Sequence, residues 1–204
     1  MPNSYGFDDL PDRRSTESVK WNYYDEDVLP MWVADMDFRS PEPVIRALHE
    51  RVEHGVFGFP EEMPEFRRVL VDRLLRLYQW KIEPEDIVFL PGVVTGFNLV
   101  SQALAQPGQA ALIQTPVYPP FLSMPRSAGL ERQEAELTLQ ADGTYSIDVD
   151  AFRSAFTEKT GLFLLCNPHN PVGRVFRREE LESMAEVCLS NGVPICSDEI
   201  HCDL

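Results

Sequence analysis

The sequence has no long apolar run, few basic residues and no regular cysteine spacing. No apolar stretch approaches the roughly 20 residues of a membrane-spanning helix, so no membrane association is expected. The 18 Lys and Arg against 33 Asp and Glu give a formal net charge of −15. This charge disfavours nucleic-acid binding, because contacts to phosphates need clustered cations. The four cysteines contain no CxxC pair, so we expect free thiols in a reducing, cytoplasmic setting.

What the sequence does contain is an alternation of short apolar stretches and amphipathic ones. Predicted strands lie at 87–92, 110–116, 131–137, 161–166 and 193–197, with helices between them, and two further helices are predicted at 41–54 and 63–80. Strands that alternate with helices indicate βαβ units. The predicted fold is therefore a three-layer α/β/α arrangement around a mostly parallel sheet.

Four chemically unusual segments follow predicted strands. They are "PGVVTG" (91–96), "TPVYPP" (115–120), "CNPHNPVG" (166–173) and "SDEIH" (197–201). In open α/β sheets, ligands bind outside the carboxyl ends of the strands. The coincidence of all four segments with strand ends predicts a ligand site there.

The first two segments suit a phosphate and a flat ring. Gly92 permits a tight turn, and the amides of Val93 and Val94 at a helix start favour an anion. Tyr118 is held among prolines, which suits stacking on a planar ligand. Taken singly, a plain strand–helix turn and an ordinary core tyrosine are the simpler interpretations.

The other two segments offer polar groups. The paired Asn-Pro steps restrict the backbone after a buried strand, and the Asn170 carboxamide can donate to a ligand oxygen. His169 is more readily structural than catalytic. Asp198 can form a charge-assisted pair with a protonated ring nitrogen, with His201 nearby. A metal site is the competing interpretation of this acidic run, but its spacing matches no zinc pattern.

Taken together, the chain resembles the pyridoxal-phosphate (PLP) enzymes of fold type I. Within aminotransferase class I/II it is most similar to the MalY/PatB-type, cystathionine β-lyase-like C–S lyases. The resemblance extends over about residues 7–204, and the matching segments beyond the four above include "LPMWVADMDF" and "HGVFGF". It implies that PLP is the cofactor and that its contacts are Gly92, Val93, Val94, Tyr118, Asn170, Asp198 and His201.

The resemblance also implies roles for these residues. The amides at 92–94 would hold the phosphate, Tyr118 would stack on the pyridine ring and Asn170 would bond the ring 3-oxygen. Asp198 would pair with the pyridinium nitrogen, with His201 at the same edge. Val33 and Ala34 would line the entrance for the substrate carboxylate.

The implied activity is β-elimination of a thiol from cystathionine or a cysteine S-conjugate, giving pyruvate and ammonia. A PLP-dependent aminotransferase on the same scaffold is the alternative. A non-catalytic PLP-fold remnant is an alternative of another class. The resemblance implies a homodimer for the full-length family member. If the acidic C-terminal run is a metal-binding tail and not part of a cofactor site, zinc should stabilise the chain.

The sequence departs from the family pattern in two ways. Phe59 stands where the family has a tyrosine. The Schiff-base lysine, expected some tens of residues beyond Asp198, is absent, because the lysines present are Lys20, Lys81 and Lys159. We therefore expect an incomplete chain that is inactive alone.

This incompleteness also has structural consequences. Residues 1–57 would form an arm and part of the small domain, and 58–204 part of the PLP-binding domain. The segment 87–90 would then lack its neighbouring strands, and the helix at 41–54 much of its packing surface.

Overall fold

The structure, a computed structural model, describes residues 6–59 and 61–204. The chain divides into two compact units, one ending at Trp80 and the other spanning Lys81–Leu204. The predicted domain boundary between residues 57 and 58 is a division of the family's fold and stays a prediction. The start of the predicted arm, residues 1–5, and Pro60 of the predicted second domain lie outside the described residues.

Three helices lie among the described residues of the first unit. These are α1 (Val19–Asn22), α2 (Glu42–His54) and α3 (Pro64–Tyr78). The predicted helices at 41–54 and 63–80 are confirmed, and the short α1 was not predicted. Proline in the first turn of both α2 and α3 suits the fixed φ of a helix start. Gly55 (φ 75°) ends α2 in the left-handed conformation that glycine adopts without strain.

Charged side chains organise the segment before α2. The Asp37 carboxylate accepts hydrogen bonds from Arg13 (2.9 Å), from Lys20 (2.7 Å) and from the indole nitrogen of Trp21 (2.7 Å). Arg13 also donates to Asp35 at 2.7 Å. The hydrogen bond from Lys20, followed by that from Trp21, lowers the pKa of Asp37. We call these five residues the Asp37 network.

The second unit is built on a four-stranded parallel sheet of order β2-β1-β5-β6. Its strands are β1 (Ala110–Thr115), β2 (Glu131–Glu136), β5 (Thr160–Cys166) and β6 (Ile195–Asp198). An unpredicted antiparallel pair, β3 (Thr138–Leu139) and β4 (Tyr145–Ser146), lies in the connection after β2. Strands β1 and β5 are buried along almost their whole length, as is usual for central parallel strands covered on both faces.

Helices cover both faces of this sheet, which confirms the predicted three-layer fold. The helices of the second unit are α4 (Val93–Leu104), α5 (Pro119–Ser127), α6 (Val149–Ser154) and α7 (Arg178–Ser190). On one face, Phe97 of α4 and Phe121 of α5 pack with Ile113. On the other, Phe152 of α6 and Met184 of α7 pack with Leu112 and Phe163.

Two predicted details of the second unit are wrong. A proline inside the predicted helix after β1 favours an interruption at Pro125, but α5 continues through it to Ser127 with Pro125 buried. The predicted strand at 87–92 does not form, and a 3₁₀ turn at Pro84–Asp86 precedes an extended segment outside the sheet.

The exposure of two apolar segments confirms an expectation drawn from the resemblance. In the segment 87–90, Val88 and Leu90 are 74% and 42% exposed. The apolar face of α2, which includes Val44, Leu48 and Val52, is likewise exposed. Among the described residues, no helix is both long and apolar enough to cross a membrane.

Candidate functional site

The direction of the strand connections reverses between β1 and β5, and in open α/β sheets ligands bind at the carboxyl ends of such a pair of strands. Strand β2 lies on one side of β1, whereas β5 and β6 follow on the other. The helix after β1, α5, covers one face of the sheet, and the helix after β5, α7, covers the opposite face. Where consecutive helices leave toward opposite faces, their connecting loops part and leave a crevice, the usual ligand position in such folds.

Tyr118 and Asn170 lie on the two loops that flank this crevice. Tyr118 immediately precedes α5 and is 39% exposed, while Asn170 is half-buried in the loop after β5. The Tyr118 amide donates to the Asn170 carbonyl oxygen at 2.9 Å. The structure therefore brings together the predicted ring-stacking residue and the predicted partner of the ring 3-oxygen.

The start of α4 lies at the same edge of the sheet. Phe97, in the second turn of α4, packs on Phe121 near the start of α5, with ring centroids 5.1 Å apart. Gly92 precedes the helix with φ 116° and ψ 153°, a conformation essentially restricted to glycine. No side chain caps this helix, so the amides of Val93 and Val94 stay available to an anion.

Asp198 ends β6, next to β5. It pairs in register with Cys166, and its carbonyl oxygen accepts the Asn167 amide at 3.0 Å. Its side chain is buried, with the residue only 7% exposed, and accepts a hydrogen bond from the Ile200 amide at 3.1 Å. In the described part of the chain no Lys, Arg or His forms an ion pair with this carboxylate. His201 is half-buried in the turn that follows β6.

The thiols of Cys166 and Cys196 lie near Asp198, and their pKa values reflect the exclusion of water from this region. Burial raises the pKa of Cys166, and it raises the pKa of Cys196 to about 11, with the negative charge of Asp198 adding to both effects. Thiols with such pKa values are protonated at neutral pH and chemically inert. The prediction of free thiols is confirmed for both of these cysteines.

The Asn-Pro loop itself is closed by internal bonds that the sequence did not reveal. The Asn167 side-chain oxygen accepts the Phe176 amide at 3.0 Å, and the His169 amide donates to the Arg174 carbonyl at 2.7 Å. His169 is 2% exposed, and its ring bridges the two crevice loops. The Asn-Pro steps on either side of His169 indicate a rigid backbone, but nothing in the sequence indicates the partner of the His169 ring.

Val33 and Ala34 belong to the first unit, where Val33 is half-buried and Ala34 exposed, and their predicted role at the substrate carboxylate stays a prediction. Among residues 6–59 and 61–204, no group of three His, Cys, Asp or Glu side chains is arranged to hold a metal ion.

An α/β fold with a ligand crevice at the switch in strand order defines a broad class of proteins, and comparison narrows it. The family model for aminotransferase class I and II matches residues 26–204. The chain belongs to this family.

Similar proteins include relatives named as cystathionine β-lyase and as MalY. The chain is 43% identical to cystathionine β-lyase PatB of Bacillus subtilis over 97% of its length, and 30% identical to protein MalY of Escherichia coli over 98%. These alignments cover 52% and 53% of the two relatives. The chain thus spans about half the length of the curated relatives it matches.

Solved structures give the same picture of the fold. The PLP-bound C–S lyase of Staphylococcus hominis superimposes with a TM-score of 0.88 at 35% identity, covering 98% of this chain and 52% of that one. Cystalysin of Treponema denticola, whose structure contains PLP, gives a TM-score of 0.89 at 30% identity, again covering 98% and 52%.

Proposed function

We propose that this chain contributes the cofactor crevice of a PLP-dependent C–S β-lyase. The observation that carries the proposal is the convergence of Tyr118, Asn170 and Asp198 at the carboxyl ends of β1, β5 and β6. The relatives named above as cystathionine β-lyase and C–S lyase supply the reaction class. The proposed substrates are cystathionine and similar cysteine S-conjugates.

The chemistry of the crevice residues fits PLP. A buried carboxylate without a cationic partner is costly, and Asp198 is such a group among the described residues. A protonated pyridine nitrogen would supply the missing positive charge and a hydrogen-bond donor. At the other end, the uncapped amides after Gly92 suit a phosphate, because both the open donors and the helix dipole favour an anion.

Each residue then has a defined task. When bound, PLP supplies an electron sink for the carbanion that forms when the α-proton of an amino acid leaves. Asp198 keeps the ring nitrogen protonated, which strengthens that sink. Tyr118 holds the ring from one face, and Asn170 donates to the 3-oxygen. His201 assists at the Asp198 edge, while Val33 and Ala34 line the entrance for the substrate carboxylate.

Two of the three lysines present are held in ion pairs. Lys159 immediately precedes β5, at the opposite edge of the sheet from the crevice, and pairs with Glu131 at 2.8 Å. Lys20 is held in the Asp37 network of the first unit. We therefore propose that residues 1–204 alone bind PLP without covalent attachment and that catalysis requires the remainder of the family fold.

A binding experiment tests the cofactor proposal directly. Equilibrium dialysis of the purified chain should give saturable PLP binding that weakens at least tenfold in Asp198→Ala, because the ring nitrogen loses its partner. Glu199→Ala, at the exposed neighbouring position, is the matched control and should bind as the unmodified chain does. Absence of binding, or an equal loss in both variants, would refute the assigned crevice.

A second experiment tests the reaction. A protein containing this chain and the remaining half of the family fold should release pyruvate from cystathionine without an added keto acid. Turnover that requires a keto acid would instead establish the aminotransferase alternative. PLP binding without either activity in that longer protein would establish a non-catalytic remnant. Borohydride trapping of PLP on Lys20, Lys81 or Lys159 would contradict the proposal that the 204-residue chain is incompetent alone.

We also propose a homodimer in a reducing, cytoplasmic compartment. The exposed apolar faces of α2 and of residues 87–90 support further assembly, because contiguous apolar surface marks interaction sites. All four cysteines are free, which supports a reducing compartment. Light scattering of the longer protein should give twice the chain mass, and a monomer at micromolar concentration would reject the dimer.

A further inference from the structure

The His169 imidazole lies between two backbone carbonyl groups from different loops. Nδ1 is 3.1 Å from the Cys166 oxygen, within the same loop after β5. Nε2 is 2.8 Å from the Pro116 oxygen, in the loop after β1. The residue is 2% exposed, so water does not compete for either contact. His169 is therefore a side chain that ties one wall of the crevice to the other.

This tie lies beside the second link between the two loops. Two residues beyond Pro116, the Tyr118 amide donates to the carbonyl of Asn170, the residue after His169, at 2.9 Å. The two links run side by side and join the same pair of loops. Their combined effect is to limit how far Tyr118 and Asn170 can separate.

The two ring contacts are not equivalent, because a neutral imidazole carries one N–H. Both neighbours are acceptors, so only one of them can receive a proton from the neutral ring. Burial lowers the pKa of His169, although the two carbonyl groups oppose this shift, and the neutral form is favoured at neutral pH. The shorter distance assigns the single proton to Nε2, where it serves the bond between the loops.

We propose that His169 is a positioning residue of the crevice, whose Nε2–H bond to the Pro116 carbonyl sets the separation of Tyr118 and Asn170. The proposal deepens the proposed PLP site and rests on it for its functional meaning. The geometric part, that one ring nitrogen holds the two loops together, stands on the contacts alone. The edge-on contact of the ring with Phe176, 5.6 Å between centroids, holds the imidazole in this orientation.

Two isosteric variants separate the two contacts. The carboxamide nitrogen of Gln lies as many bonds from Cα as Nε2 does, whereas that of Asn lies as many as Nδ1. His169→Gln can thus keep the bond to Pro116, and His169→Asn keeps only the contact within its own loop. Both replace a buried ring by a smaller amide, and His169→Asn removes one carbon more than His169→Gln, so the melting temperature of each variant is measured beside its exchange and binding.

The first readout needs no cofactor. Hydrogen exchange of the Tyr118 amide in the unliganded chain should be about tenfold faster in His169→Asn, because one hydrogen bond between the loops is lost. It should remain slow in His169→Gln. Amides within β5 should be unchanged in both variants. Equal acceleration at Tyr118 in the two variants would overturn the proposal.

The second readout is PLP binding. The dissociation constant from equilibrium dialysis should rise about tenfold in His169→Asn and stay within about threefold in His169→Gln, in proportion to the one lost bond. Affinity that follows the melting temperature instead of the identity of the variant would reduce His169 to a structural residue and reject the proposal. If the unmodified chain binds no PLP, the proposed function fails, and Tyr118 exchange still decides the positioning role.

A third readout requires no variant. Nitrogen-15 chemical shifts of the folded chain report which imidazole nitrogen is protonated. The proposal requires the Nε2–H tautomer at His169, and finding the Nδ1–H tautomer would overturn it even where His169→Asn fails to fold.

Discussion

Each unit of the chain is stabilised internally by a different kind of interaction. In the second unit, two apolar clusters on opposite faces of a parallel sheet bury large side chains such as Phe121 and Phe163 completely. In the first unit, the described residues that are buried are Ser18 and Pro30, and the helices bury no residue. The segment before α2 is instead organised by the polar contacts of the Asp37 network. Helical periodicity alone therefore does not show that a helix has found a partner surface.

The largest expected loss of stability comes from a substitution in the apolar core of the second unit. Phe163→Ala should lower the free energy of unfolding by about 3–5 kcal/mol, because it removes a fully buried ring and leaves a cavity. Leu48→Ala on the exposed face of α2 is the matched large-to-small change and should cost less than about 0.5 kcal/mol. Urea denaturation followed by circular dichroism measures both. A comparable loss in the two variants would show that the apolar face of α2 is buried in solution.

The next largest expected loss of stability comes from disrupting the Asp37 network of the first unit. Asp37→Ala removes the acceptor of three hydrogen bonds, two of them from cations, and should lower the local free energy of opening by about 2 kcal/mol. Hydrogen exchange of the amides around α1 reports it. Asp35→Ala removes a single, more exposed ion pair and should cost less than about 1 kcal/mol. Faster exchange in the second unit after Asp37→Ala would contradict the separate origin of the two stabilities.

The same contrast predicts a pH effect. The folded-state pKa of Asp37 is lowered from its ordinary value of 3.8, first by the Lys20 hydrogen bond and then by that of Trp21. Its contribution to stability is therefore present above pH 3.8 and is lost as the pH falls through the lower folded-state value. Once the intrinsic pH dependence of amide exchange is divided out, the protection factors around α1 should fall on acidification below pH 3.8 in the unmodified chain. The matched Asp37→Asn variant should lack this component, and an identical pH response would refute it.

The smallest expected effect concerns a buried carboxamide in the second unit that has no hydrogen-bond partner among the described residues. Gln114 in β1 is 2% exposed, and its carboxamide has no hydrogen-bond partner among the described residues. Gln114→Leu should leave stability unchanged or raise it by about 1 kcal/mol, since an unsatisfied buried amide is removed. Gln133→Leu is the control and should destabilise the chain, because Gln133 bonds Thr157 and Thr160. A clear loss in Gln114→Leu would indicate an undetected partner for this amide.

Local chemistry made much of the fold predictable. The apolar run of β5 and the start of α6 at Asp148, whose side chain caps the helix, follow from patterns of a few residues. Tyr118, Asn170 and Asp198 could be placed at one edge because parallel strands end together. The resemblance to a known family added their roles.

Other features depend on residues far apart in the chain and could not be predicted locally. The contact of His169 with Pro116 spans 53 positions, and the Asp37 network joins residues 16 to 24 positions apart. The apolar run at 87–90 predicts a strand by composition, but a strand also needs a neighbour to bond. Within the described residues that neighbour is absent, so the segment stays outside the sheet.

The two links between the crevice loops have a practical consequence for kinetic studies. Each link ends on main-chain oxygen atoms, at Pro116 and Asn170. Side-chain substitutions at Tyr118 and Asn170 therefore leave both links intact. A change in rate after Tyr118→Phe or Asn170→Ala will report the lost chemical group itself, with the spacing of the loops held constant.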